Sequence, residues 1–233
     1  MHTLRNLESL KLEVVNVGRM MHEAGLTTGT WGNISARLPN SDLIVITPSG
    51  FDKGKLSPRD MVVIRMDGGV VEGVHKPSIE TPMHLHIYEI RPDVGAIVHT
   101  HSPMATSVGV AGLEIPAITV ELAVHIGGKV PLVKYACPGT SKLGIEAAKI
   151  LEDFNAAILE SHGVVAVGSD LNIAFNRALM VEDAARFFIF AKILGNVRAL
   201  TQSEIDEVRR IMDLWRQIER VRNVRKDWMR KIW

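Results

Sequence analysis

Apolar positions recur along the chain at two spacings. Between Leu4 and Ala24, residues Leu7, Leu10, Val14, Val17 and Met21 fall three or four apart and Gly25 follows, which predicts a first amphipathic helix with a stop. Leu43–Ile46 and Met61–Met66 are short apolar runs, bounded by Thr47-Pro48-Ser49-Gly50 and Asp67-Gly68-Gly69, and read as strands. Pro77 to Pro82 opens a helix with Ser78 as candidate cap and Glu80 in its first turn. It runs to about Ile90 and ends at Arg91-Pro92. Gly95 to Ser102 reads as a buried strand, and Met104 to Val110 as a short helix. Strands are predicted over Ile115–Val120, Val130–Lys134, Ala156–Leu159 and Val164–Val167, with a helix over Thr140–Glu152. Glu121 to Gly128 carries no decisive pattern. Two helices close the chain: Leu171–Leu194, capped by Asp170 and stopped by Gly195, and Ser203 to about Arg222, capped by Ser203.

Short turns between the early strands, without intervening helices, point to an antiparallel or mixed sheet. No repeat, low-complexity tract or linker divides the 233 residues, so residues 1–233 read as one domain with a basic tail over about 222–233. That tail combines Arg225, Lys226, Arg230 and Lys231 with Trp228 and Trp233; it reads as a solvated or subunit-docking segment before a nucleic-acid contact.

Charge narrows the partners. Lys plus Arg number 27 and Asp plus Glu 26, so no overall field argues for nucleic acid or a membrane surface. The polar stretch Met1–Glu13 is not read as a signal peptide, and no apolar run approaches the roughly 20 residues of a membrane span. A cytoplasmic protein is expected. With Cys137 as the single cysteine, an intrachain disulfide is excluded.

The chemistry gathers around His99-Thr100-His101. A strand repeats every two residues, so both rings leave one face, either as paired metal ligands or as a satisfied polar pair. His162, in Glu160-Ser161-His162-Gly163 at a break in a buried strand, is the candidate third ligand, and Glu80 the candidate carboxylate. Three neutral imidazoles leave zinc an open, catalytic position, where it can polarise a carbonyl and stabilise an adjacent enediolate. The turns Thr27–Ser35 and Thr47–Gly50 read either as ordinary turns or as an anion pocket. In the second case Gly32, Asn33, Ser49, Gly50 and Ser78 would hold a phosphate without a cationic side chain. His84 shares a helix face with Glu80 and is read as a packing residue beside the site; His2, His22, His75 and His86 carry no supporting pattern.

Gly32-Asn33-Ile34-Ser35, Thr47-Pro48-Ser49-Gly50, Pro77-Ser78-Ile79-Glu80, His99-Thr100-His101 and Ser161-His162-Gly163, in this order, resemble the zinc-dependent class II aldolase/epimerase family. The resemblance spans about Leu4 to Leu200. It implies a three-layer αβα fold around a mainly antiparallel sheet, in a homotetramer with active sites between subunits. It also implies one zinc ion per subunit on His99, His101 and His162, with Glu80 as resting ligand and catalytic acid/base. A dihydroxyacetone-phosphate-like half would lie on Gly32, Asn33, Ser49, Gly50 and Ser78.

In that family aldolases carry Glu where this chain has Glu80, and 4-epimerases carry Asp. The resemblance therefore implies retro-aldol cleavage of an L-fuculose 1-phosphate-like ketose 1-phosphate to dihydroxyacetone phosphate and an aldehyde. A 4-epimerase, dehydratase or decarboxylase is the alternative on the same scaffold. Adducin-like head domains, which serve as interaction modules, would lack the metal positions that this chain keeps. Two positions depart from the family pattern: Ile79 stands where a second serine is common, and Val120 where the fuculose-phosphate enzyme has a proton-donating tyrosine. Glu121 or His125 is the nearest replacement, with an interface role as the simpler reading for both.

Overall fold

Asn6 opens the first helix, its side chain accepting the Ser9 amide at 2.8 Å, and α1 runs over Leu7–Glu23. The computed structural model describes residues 6–232, with side chains as far as Ile218. The predicted start at Leu4 therefore lies outside the described residues.

Eight strands follow the β-branched runs: β1 (Asn33–Arg37), β2 (Leu43–Ile46), β3 (Val62–Arg65), β4 (Val70–Glu72), β5 (Ala96–Thr100), β6 (Leu132–Val133), β7 (Ala156–Leu159) and β8 (Gly163–Gly168). They form one sheet in the order β4-β3-β2-β1-β5-β8-β7-β6. Every pairing is antiparallel except β6 with β7. Both faces are covered, which makes three layers. The helices α1, α3 (Pro103–Val110) and α5 (Leu171–Leu194) pack one face, and α2 (Thr81–Ile90) and α4 (Ser141–Leu151) the other. The expected αβα architecture with a mainly antiparallel sheet is the observed one.

The two-residue strand period sorts side chains between the layers. In β5, Ala96 and Val98 join the core under α1, α3 and α5, while Ile97 joins the core under α2 and α4. His99 continues the Ile97 face. In β1, Ile34 and Ala36 face the first core, so Asn33 and Ser35 face α2. The register that pairs Asn33 with His99 puts both polar side chains at one end of the central strands.

Several local expectations are corrected. Ile115–Val120 is not a strand: only Ile115 bridges, to Val130, because Pro116 has no amide to donate; the chain then enters a wide helical turn at Leu122–Ile126. β4 is an exposed edge strand whose three residues gave no periodic signal. Glu80 is the N-cap of α2 rather than a first-turn residue, and Ser78 accepts the Glu80 amide at 3.2 Å instead of capping. The last helix, α6, spans Gln202–Ile232, past the expected end at Arg222. Thr201, not Ser203, caps it: Thr201 Oγ1 accepts the Glu204 amide at 3.3 Å while the Glu204 carboxylate accepts the Thr201 amide at 2.8 Å. The side chains of the tail over 222–233 lie outside the described residues. Among those described, no helix is long and apolar enough to cross a membrane.

Candidate functional site

Three chain breaks present the imidazoles. His99 is the penultimate residue of β5 and is fully buried; His101 lies just past the strand end at Thr100, its amide bound to the Leu26 carbonyl at 3.1 Å. His162 sits in the tight turn between β7 and β8, which is closed by its own amide on the Leu159 carbonyl at 3.1 Å. Ser161, just before it, holds a left-handed backbone (φ 55°), a conformation that costs a non-glycine residue about 1 kcal/mol. Two glycines allow the close approach. A side chain at Gly32 (φ 74°) would meet the His99 carbonyl at 2.6 Å, and one at Gly163 the Thr100 carbonyl at 2.2 Å. Glu80 enters from the other layer at the start of α2, and its carboxylate makes no cap bond with the helix amides.

One ligand atom each from Glu80, His99, His101 and His162 lies within 4.8 Å of the others, so the four residues could hold a metal ion. Their surroundings fit a cation. His99 Nδ1 donates to the Val164 carbonyl at 2.8 Å, which leaves Nε2 of the neutral ring bare. That bare nitrogen faces His101 Nε2 at 3.2 Å and Glu80 Oε2 at 3.1 Å. Lone pairs this close repel unless a proton or a metal ion lies between them. Glu80 Oε1 is 3.3 Å from His162 Nε2 and is buried without a hydrogen-bond partner, as is His162 Nδ1. A nitrogen-rich set with one oxygen matches a zinc-type divalent ion.

Electrostatics point the same way. Burial would raise the Glu80 carboxyl, but the adjoining His99 and His162 rings and the hydrogen bond from Asn33 outweigh it and hold it well below the usual range. Burial lowers His99 too, yet the Glu80 charge reverses that shift upward. Burial and the neighbouring rings push His101 down to about 3 and His162 to about 4, the neutral form a ligand needs. The cluster thus favours a positive charge at its centre, which a metal ion held by these four residues would supply.

Glu80, His101 and His162 open into a cavity of about 360 Å³ whose wall includes Gly32, Asn33, Ser49, Gly50 and Ser78. All five residues expected around an anion thus share one hollow with the imidazoles, and His99 lies behind it, fully buried. The expectation of a pocket without a cation is corrected. Lys53 lines the same cavity, is only 1% exposed, and donates to the Thr30 carbonyl at 2.9 Å and the Phe51 carbonyl at 2.6 Å. Burial pulls its ammonium down to about 8.

Sequence reasoning did not single out Lys53, which has no local pattern to mark its burial; the turn that carries it packs against α1. Trp31 was missed as well. It stacks on His101 at 5.6 Å between ring centroids while remaining 58% exposed at the cavity rim. Ile79 lines the cavity, whereas Val120, Glu121 and His125 do not.

Residues 12–189 match the Class II Aldolase and Adducin N-terminal domain family. The chain is 36% identical over 202 residues to the 5-deoxy-D-ribulose 1-phosphate aldolase of Bacillus thuringiensis, covering 87% of this chain and 94% of that protein. It is 34% identical over 197 residues to the L-ribulose-5-phosphate 4-epimerase of Salmonella paratyphi B, covering 80% of this chain and 86% of that protein. A solved L-fuculose 1-phosphate aldolase, 35% identical, superposes with a TM-score of 0.84 over 88% of this chain and 96% of its own. The chain belongs to the class II aldolase family, as an enzyme of the lyase class.

If His162 supplies a ligand, His162→Ala purified without chelator will hold well under half the wild-type metal content by elemental analysis, at unchanged far-ultraviolet circular dichroism. A metal content equal to wild type would remove His162 from the coordination set.

Proposed function

We propose that the protein is a zinc-dependent aldolase that cleaves a ketose 1-phosphate reversibly to dihydroxyacetone phosphate and a short aldehyde. The observation that carries the reading is that Glu80, His101 and His162 line a single cavity together with Ser49, Gly50, Ser78 and Lys53. The phosphate rests on the hydroxyls and amides of the second group, with the Lys53 ammonium as counter-charge. That anchoring carries the ketose carbonyl to the imidazoles.

A divalent ion bound there supplies Lewis-acid stabilisation for the charge that develops on the carbonyl oxygen. Loss of the proton from the hydroxyl on carbon four releases the aldehyde. The bonding pair between carbons three and four passes to the dihydroxyacetone phosphate half, and a proton returns to carbon three. Glu80 is the group for that return, because Oε1 is buried and unpartnered and the residue lines the cavity. Trp31, Pro48, Ile79 and Pro138 supply apolar wall, which supports an aldehyde with a methyl end. A 4-epimerase is the second reading, favoured by the 34% identity to the Salmonella enzyme. The exposed Phe187, Phe190, Ile193 and Leu194 at the end of α5 support burial in a homotetramer.

Incubating the zinc-loaded protein with 5-deoxyribulose 1-phosphate, fuculose 1-phosphate, ribulose 1-phosphate and ribulose 5-phosphate tests the reaction. Dihydroxyacetone phosphate is expected from at least one of the first three, with Glu80→Gln slower by roughly 10²- to 10⁴-fold at unchanged zinc content. Xylulose 5-phosphate as the only product would transfer the assignment to the epimerase.

Lys53 sets a pH dependence. Its ammonium is charged below about 8 in the free protein, so anion affinity is full below that pH and falls as pH rises through it. Inhibition by inorganic phosphate, measured from pH 7.5 upward where the dianion dominates, is expected to weaken above about pH 8. Lys53→Met should bind phosphate roughly tenfold more weakly with no such inflection. An inflection that survives the substitution would clear Lys53 of the role. For the assembly, light scattering is expected to report four copies, and a monomer at micromolar concentration would contradict the tetramer.

A further inference from the structure

One face of α2, from its N-cap to its last turn, meets β1 as a ladder of polar side chains. Helix residues 80, 84 and 88 lie on one face, four apart, which is an advance of about 6 Å per step. Strand residues 33, 35 and 37 share one face two apart, an advance of about 6.6 Å. The steps match, so the rungs meet one by one. Asn33 Nδ2 donates to Glu80 Oε2 at 2.7 Å. The His84 ring lies between Asn33 Oδ1, 2.5 Å from Nε2, and Ser35 Oγ, 2.7 Å from Nδ1. Ser35 Oγ is 2.8 Å from the Tyr88 hydroxyl, and the Arg37 guanidinium covers the Tyr88 ring at 4.4 Å. Asn33, Ser35, Glu80, His84 and Tyr88 are all buried.

Chemistry gives this chain one direction. The Glu80 carboxylate only accepts, so the Asn33 amide must turn its NH2 group toward it and its oxygen toward His84. An amide oxygen only accepts, so His84 carries its proton on Nε2. The fully buried ring has no carboxylate against either nitrogen, so with its proton on Nε2 it leaves Nδ1 bare to take the Ser35 hydroxyl proton; the Ser35 oxygen then accepts from Tyr88. Reversing any bond would set two acceptors or two donors against each other along the whole chain.

We propose that His84, held in its Nε2–H form by Ser35 and Tyr88, is a positioning residue that locks the Asn33 amide and through it the Glu80 carboxylate. Oε2 is thereby pinned by Asn33, and Oε1 is left as the working oxygen, 3.3 Å from His162. The consequence for turnover rests on the reading of Glu80 as acid/base; the direction of the hydrogen bonds does not.

Two measurements on the full-length, zinc-loaded protein test it. In long-range ¹H–¹⁵N spectra of histidine-labelled protein, the His84 signals are expected at the shifts of a protonated Nε2 and a bare Nδ1; a protonated Nδ1 would overturn the proposal whatever the enzyme's substrate. In kinetics, His84→Leu, which removes the donor, should lower kcat at least tenfold while KM and zinc content stay within about threefold. His84→Gln, whose amide can donate at the Nε2 position, should recover most of the loss. Equal kcat for the two variants, or a loss that merely tracks melting temperature, would overturn it.

If His84→Leu fails to fold, the Asn33 side-chain amide signal in wild type and His84→Gln decides. A downfield, exchange-protected proton in both is expected, and its absence from wild type refutes the lock. Should no ketose phosphate be cleaved, the spectra still decide the hydrogen-bond polarity, so that failure belongs to the functional reading alone.

Discussion

Glu80 is a carboxylate only 5% exposed, and its charge must be balanced where it stands. Its two oxygens divide the task. Oε2 takes the Asn33 amide and faces His99, while Oε1 faces His162 across 3.3 Å without a hydrogen bond. Everything around the site serves this arrangement. β1 and β5 are adjacent so that Asn33 and His99 flank the acid, and α2 begins where it does so that its N-cap, rather than its interior, carries the charge. A sheet covered by helices on both faces provides the dry surroundings in which imidazole lone pairs and a carboxylate stay close enough to compete for one cation.

The same demand explains where the backbone is unusual. Gly32 and Gly163 pass so near the carbonyls of His99 and Thr100 that any side chain would separate β5 from its neighbours. Ser161 accepts a left-handed conformation to aim His162 back over the sheet end. These positions trade local stability for convergence, as expected where a ligand must be held by residues from three separate turns. Lys53 is a further cost of the same kind. An ammonium buried under α1 is disfavoured by desolvation, and its two backbone carbonyl acceptors join the loop of Thr30 to the loop of Phe51 around the cavity. The stretch that carries the cavity's charge thereby also fixes its shape.

Kinship with both ribulose 1-phosphate aldolases and ribulose 5-phosphate 4-epimerases follows from this construction. A metal-competent cluster beside an anion-sized hollow does not dictate which bond breaks. The walls of the hollow, which include Trp31, Ile79 and Pro138, differ in chemistry from that cluster and are where such a choice can be made.

Much of this was legible in the chain itself. The strands at Leu43–Ile46 and Ala156–Leu159 and the helix at Leu171–Leu194 have the ends their turn residues and caps predicted, since hydrophobic period and capping are local properties. Glu80, His99, His101 and His162 stood out because two imidazoles on one strand face and a histidine before glycine are themselves local patterns, and they do converge. Ile115–Val120 failed as a strand because an apolar run cannot show that it lacks a partner to pair with. The burial of Lys53, the stacking of Trp31 on His101 and the ladder from Tyr88 through His84 to Asn33 could not be read at all. Each depends on the register of α2 and α1 against the sheet. A sequence specifies which residues can donate, accept or carry charge; only packing fixes which of them meet, and with what left to balance them.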